Sequence, residues 1–173
     1  MKKESRDHLR RLADQRGKEY GKLVQKLLAL ALLDAGASEL FERSTQGIDL
    51  ECKLDGRALA IEVKTCESRS IRLASKDLDG LAARHASGAR CYLAVLGPGL
   101  FDDLRLAVVL PGEIAPAKDI LLVELRASRD LELEARLRPC FERVLLRHAA
   151  VAESEGQGGL DALLASHIAY RRA

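Results

Sequence analysis

Asparagine and tryptophan are absent from the 173 residues, methionine occurs once, and aromatic residues make up only 3%. So few rings argue against a stacking platform for single-stranded nucleic acid, which depends on aromatic faces. The scarcity of labile Asn and Met, beside abundant Leu, Glu and Arg, fits a thermophilic origin. No run of 18 uncharged apolar residues exists, so no membrane-spanning helix is expected. The opening Met-Lys-Lys-Glu-Ser-Arg-Asp is charged and lacks an apolar stretch, so no signal peptide is expected and a cytoplasmic location follows. Cys52, Cys66, Cys91 and Cys140 form no C-x-x-C pair, and His8, His85, His148 and His167 are scattered. That spacing suits buried reduced thiols rather than a zinc or iron–sulfur site. No G-x-S-x-G, phosphate-binding loop or dinucleotide fingerprint is present, and Gly97-Pro98-Gly99 is a turn too short to cradle phosphate. No organic cofactor is expected.

Charge is balanced overall, with a formal net of +2, but unevenly distributed. Residues 1 to 26 hold nine Lys and Arg against four acids. Such a segment raises the local concentration of phosphate; it is equally a solvated helix face. Lys18, Lys22, Arg69, Arg72 and Lys76 are candidate DNA contacts, and Lys76 is equally an ordinary surface lysine.

The most informative stretch is residues 47 to 64. Asp55-Gly56, flanked by alternating apolar residues, is a strong two-residue hairpin signal. A turn at those positions fixes the pairing: Leu54 faces Arg57, and Asp49 faces Glu62. Ile48, Leu50 and Cys52 then share one apolar side with Val63, Ile61 and Leu59. Glu62 and Lys64 point the same way, roughly 7 Å apart along the strand. Two carboxylates opposed on one sheet face repel each other. A divalent cation removes that repulsion, since hard cations prefer carboxylate oxygens. With an ammonium beside it, the layout suits metal-assisted phosphodiester hydrolysis. The alternative is a solvent-facing hairpin with ordinary surface charges.

Asp49, followed by Glu62-Val63-Lys64 at the end of an apolar strand, resembles the PD-(D/E)xK nuclease superfamily, and within it the archaeal-type Holliday-junction resolvases. The order of elements over about residues 15 to 110 carries the likeness: helix with a glutamate, strand, Asp strand, Glu-x-Lys strand, helix, strand. The resemblance implies a restriction-endonuclease-like α/β fold, with a central mixed sheet flanked by helices on both faces. It implies that Asp49 and Glu62 bind Mg²⁺, for which Mn²⁺ substitutes, and that Lys64 assists the attacking water. It also implies an acid from the first helix, here Glu19, as a catalytic residue and metal ligand. By spacing alone Glu19 lies at the edge of the helix's buried stripe and is equally a capping or surface residue. The segment before Asp49, Ser44-Thr45-Gln46-Gly47-Ile48, is shorter than the family's usual Gly/Ser-rich loop and lacks its proline. The implied function is a Mg²⁺-dependent endodeoxyribonuclease that cuts four-way junctions as a homodimer, in recombination or repair. The rivals are a defence or repair nuclease acting on duplex, flap or modified DNA, and a non-catalytic DNA-binding module.

Along the chain, residues 5 to 35 are expected to be helical, capped by Ser5, weakened at Gly17 and stopped at Gly36. Tyr20, Leu23, Val24, Leu27, Leu28, Ala31 and Leu32 make its apolar stripe. Strands are expected at 40–43, 90–96, 104–110 and 120–125, with a loop at 65–73 and a helix over 76–86 capped by Ser75. The run 130–138 is ambiguous, Pro139 starts a helix to about 152, 155–159 is a flexible break, and 160–172 is a short helix. Residues 1–127 are expected to form the nuclease core. Residues 128–173 are expected as a mostly helical extension on that core or at a dimer surface.

Overall fold

The computed structural model describes residues 1–43, 47–66, 68–96, 104–114 and 119–172. The Gly97-Pro98-Gly99 turn and Ser44-Thr45-Gln46 lie outside these. Among the described residues no helix is long and apolar enough to cross a membrane.

The N-terminal helical pattern splits as Gly17 suggests, into α1 (Lys3–Arg16) and α2 (Tyr20–Asp34). Ser5 is not the cap. The helix starts two residues earlier, where a distant carboxylate, Glu142, accepts the Lys2 N–H at 2.8 Å and takes over the local cap's work. Every residue of the α2 stripe is buried, and Gly36 ends the helix at φ 92°. β1 (Ser38–Glu42), β2 (Leu50–Leu54) and β3 (Arg57–Thr65) follow as an antiparallel meander. Asp55 and Gly56 have φ of 52° and 75°, and the ladder runs from Leu54↔Arg57 to Leu50↔Ile61. The arithmetic from the turn therefore holds through the regular part of the hairpin.

The segment expected to be a loop contains β4 (Ser70–Arg72), which pairs with β7 (Asp119–Leu121). So short a strand has too little periodicity to register in sequence. α3 (Ser75–Ala86) carries the chain back to β5 (Arg90–Leu96), parallel to β3. Ser75 is the first helical residue rather than the cap; Asp77 accepts the Ala74 N–H at 3.0 Å instead. β6 (Arg105–Val108) pairs antiparallel to β5. The stretch expected as a strand over 120–125 ends early, in a 3₁₀ turn over Glu124–Ser128.

The C-terminal third departs most from expectation. Residues 131–138 are helical, because Asp130 caps them by accepting the Leu133 N–H at 3.0 Å. α4 (Leu131–Ala165) then continues past Pro139, and it kinks at Gly156, within the break expected over 155–159, where φ 63° and ψ −141° leave helical geometry. The last residues are not helical: β8 (Tyr170–Arg172) lies parallel to β1. The exposed edge of β1 supplies the partner, and nothing local to 160–172 announces it.

The six-stranded sheet has the order β6-β5-β3-β2-β1-β8. One face packs on α2, which is itself covered by α1 and α4, so α2 is apolar nearly all round. Leu137, Phe141, Val144 and Leu145 of α4 belong to that core. The other face is covered by α3 and the β4–β7 ribbon, through Ala60, Leu93, Val95, Ile71, Leu78 and Leu81. Ile48 belongs to this second face, not with Leu50. The chain leaves strand geometry before Leu50, so alternation no longer governs it. All four cysteines are free thiols, and burial pushes Cys52 up to about 12.

A residue with a side chain at Gly56 has open space but a left-handed backbone to adopt. Gly56→Val is expected to cost about 1–2 kcal/mol or more in urea unfolding. Gly56→Asn should cost clearly less, because Asn tolerates that region. Equal losses from the two would separate the hairpin's stability from its turn geometry.

Candidate active site

β3 is longer than β2, so from Glu62 onward the side of β3 that β2 lined is no longer laddered. The gap is the mouth of a cleft of about 840 Å³. Its walls are the first half of α2, the end of β3 and the first turn of α3. Gly47 lets the chain enter this space. It sits at φ 73°, and a Cβ there would collide with the Lys76 carbonyl.

Asp49 stands one residue ahead of β2. Its Oδ2 accepts the Val63 N–H at 2.9 Å, so the carboxylate takes a place a ladder carbonyl would otherwise fill. Its Oδ1 lies 3.4 Å from Lys22 Nζ. Glu62 is 4% exposed, and its pKa is raised to about 7, first by burial and then by the negative charge of Asp49. The two carboxylates thus repel each other in the folded protein, although the ladder ends at Leu50↔Ile61 and does not pair Asp49 with Glu62. Lys64 Nζ lies 2.7 Å from both Glu62 Oε1 and Asp77 Oδ2. Burial works against its ammonium, but the bonds to Asp77 and Glu62 outweigh that and raise its pKa.

The fold therefore brings Asp49, Glu62 and Lys64 into one cleft and places Lys18, Lys22, Arg72 and Lys76 on its walls. Arg72 also pairs with Asp119 at 3.0 Å. Arg69 is exposed and is not among the residues lining the cleft. Glu19 is likewise not brought to it. It precedes the first turn of α2 and turns toward Arg16, 3.8 Å away, and toward Gly156 of α4. The residues of α2 that do face the cleft are Gly21, Lys22 and Gln25. On a helix with 3.6 residues per turn, that excludes the face carrying Glu19.

Two residues of the cleft escaped the sequence reading. Asp77 is 4% exposed and fixes Lys64; an acid in the first turn of a helix was its only signal. Gln25, a polar residue inside the apolar stripe of α2, donates to Glu42 Oε1 at 3.0 Å and to the Asp49 carbonyl at 3.4 Å. Its own Oε1 accepts from Lys22 at 2.7 Å.

Among the described residues no group of three Asp, Glu, His or Cys side chains forms a ready metal cage. The donor chemistry nevertheless fits a hard divalent ion. Two carboxylates push against each other at the cleft, and such ions readily keep water or phosphate oxygens as their remaining ligands. A smaller cavity of about 300 Å³ lies at the turn end of the sheet, between Arg57, Arg90, Tyr92, Asp130 and Arg136. Its charges are largely matched, Arg136 with Asp55 and Arg90 with Asp130, so it offers no comparable excess of like charge.

No protein-family model matches the sequence, and no curated protein does. The fold is similar to that of Archaeoglobus fulgidus Hjc, a Holliday junction resolvase from an archaeal hyperthermophile. The TM-score is 0.51 at 17% identity, over 66% of this chain and 95% of that one. At such low identity the likeness speaks for architecture. The chain has an α/β fold of the restriction-endonuclease-like type, a mixed six-stranded sheet with helices on both faces.

Proposed function

We propose that the protein is a divalent-metal-dependent DNA endonuclease, and that its substrate is a four-way junction bound by a homodimer. One observation carries the chemistry: Asp49 and Glu62 share a cleft with the fixed ammonium of Lys64. The substrate is suggested by the likeness of the fold to a Holliday junction resolvase.

In this reading Asp49 and Glu62 hold Mg²⁺ or Mn²⁺, which would polarise the scissile phosphate and acidify a water. Asp49 is oriented for that by the Val63 N–H. Glu62 must give up its proton to serve. Lys64, held charged by Asp77, presents N–H donors to an attacking water or to a phosphate oxygen. Lys18, Lys76 and the neighbouring basic side chains draw the DNA backbone to the cleft. Cleavage assays on four-way, flap and linear duplex DNA, with and without Mg²⁺, test the reading. Preference for linear or flap DNA would reassign the substrate to a defence or repair role while keeping the chemistry. Binding without cleavage of any form would make the protein a binding module.

Asp49→Asn and Glu62→Gln are each expected to abolish cleavage while leaving DNA binding equal or tighter, since each removes an anion that repels phosphate. Gel-shift and cleavage assays on the same preparations check this, and near wild-type cutting by both variants would remove the site.

Protonation of Glu62 also fixes a pH dependence of the metal-free protein. Its folded pKa of about 7 lies above the ordinary 4.5, so the folded state holds a proton that the unfolded state has lost between those values. Stability from this group is therefore lost as pH rises from 4.5 to 7. Wild type should lose about 2–3 kcal/mol more than Glu62→Gln over that interval in urea unfolding with EDTA. Parallel pH profiles would place the Glu62 carboxyl in ordinary solvent.

Lys18→Ala combined with Lys76→Ala should weaken binding to all DNA sequences alike. The slope of log affinity against log salt should fall by about one for each lost phosphate contact. An unchanged slope would put the DNA on another surface.

A further inference from the structure

The helical wall of the cleft supplies cations and an amide where it could have supplied a third carboxylate. Lys18 and Lys22, and likewise Gly21 and Gln25, are four residues apart, and all four line the cleft. Gln25 is 2% exposed, and every polar atom of its amide is engaged. It donates to Glu42 and the Asp49 carbonyl, and accepts from Lys22. That last bond holds the Lys22 ammonium at 3.4 Å from Asp49 Oδ1. On the far side, Asp77 is committed to Lys64 and to the Ala74 N–H. Two carboxylates, Asp49 and Glu62, are thus left for an ion, flanked by two fixed ammonium groups.

We infer that the cleft takes one divalent ion per chain, and that Lys22, steadied by Gln25, stands where a second ion would otherwise sit. The charges decide the number. Asp49, Glu62 and Asp77 against Lys22 and Lys64 leave a formal −1, which one divalent ion turns to +1 and a second to +3. Lys18, Arg72 and Lys76 on the same walls add further positive charge. A second ion would therefore enter a site already positive, with no carboxylate of its own. This inference rests on the metal-dependent reading of the cleft.

Mn²⁺ titration of the full chain without DNA, followed by calorimetry and by the paramagnetic signal of free Mn²⁺, tests it without reference to activity. Only ions lost in Asp49→Asn are counted. Wild type should bind one. Lys22 is half-exposed, so its variants should keep the fold, which circular dichroism checks. Lys22→Ala should still bind one ion, about threefold to tenfold tighter, because a cation near the ligand is gone. Lys22→Glu should bind two. Two ions in wild type, weaker binding by Lys22→Ala, or a single ion of unchanged affinity in Lys22→Glu would overturn the assignment of Lys22 while leaving the nuclease reading intact. No Asp49-dependent Mn²⁺ in any of the three proteins would overturn the metal-dependent reading, and this inference with it.

Discussion

Asp49 and Glu62 cannot stand together at the end of a covered hairpin without help. At an effective dielectric near 20, two like charges 4 Å apart cost about 4 kcal/mol. That is a large part of the 5–15 kcal/mol by which a domain is stable at all. The surroundings of the cleft are arranged around this cost. Val63 donates its N–H to one carboxylate, Lys64 donates to the other, and Lys22 approaches from the helix. What remains is expressed in Glu62, whose proton is held to about pH 7. Burial first, and the charge of Asp49 second, keep that carboxyl partly protonated.

The parts of this arrangement that were legible in the sequence are those fixed by short-range geometry. Asp55-Gly56 dictates the turn, the turn dictates the register as far as Leu50↔Ile61, and Asp49, one residue beyond, comes near Glu62 and Lys64. The stripe of α2 and the apolar run of β5 were equally plain, because burial imposes a period on the chain. Glu19 misses the cleft because a stripe defines a face only to within about one residue, and Glu19 itself lies in the break between α1 and α2. Asp77 and Gln25 were overlooked because their roles arise only when α3 and α2 meet the sheet. Neither Ser5 nor Ser75 caps its helix: Glu142 from α4 takes the N–H at the start of α1, and Asp77, within the first turn of α3, takes the N–H at the start of α3. β4 and β8 are three residues each and exist by virtue of distant partners.

Behind the cleft lies a second set of charges with little access to water. Lys26 and Glu42 are 3% and 6% exposed and pair at 3.0 Å. Buried pairs of this kind are tolerated when the remaining donors and acceptors are met. Here Tyr170 donates its hydroxyl to Glu42 at 2.8 Å, Gln25 donates its amide, and Asp161 receives Lys26 at 2.5 Å. The same glutamate thus ties α2, β1 and β8 together, and Gln25 carries the connection on to the Asp49 backbone.

The pairing of β8 with β1 also bears on the order in which the molecule assembles. Asp49 and Glu62 are separated by a short hairpin that can close early, whereas the Tyr170–Glu42 bond spans 128 residues of chain. Closing so long a loop carries the larger entropic penalty, and contacts of such sequence separation are slow to form. The hairpin with its carboxylates can therefore exist before the seam is sealed. Until β8 docks, Glu42 lacks the Tyr170 hydroxyl and β1 is an open strand edge, the kind of surface on which a second chain can pair in error. The last strand thus acts as a stopper, turning the edge of β1 into the interior of the finished sheet.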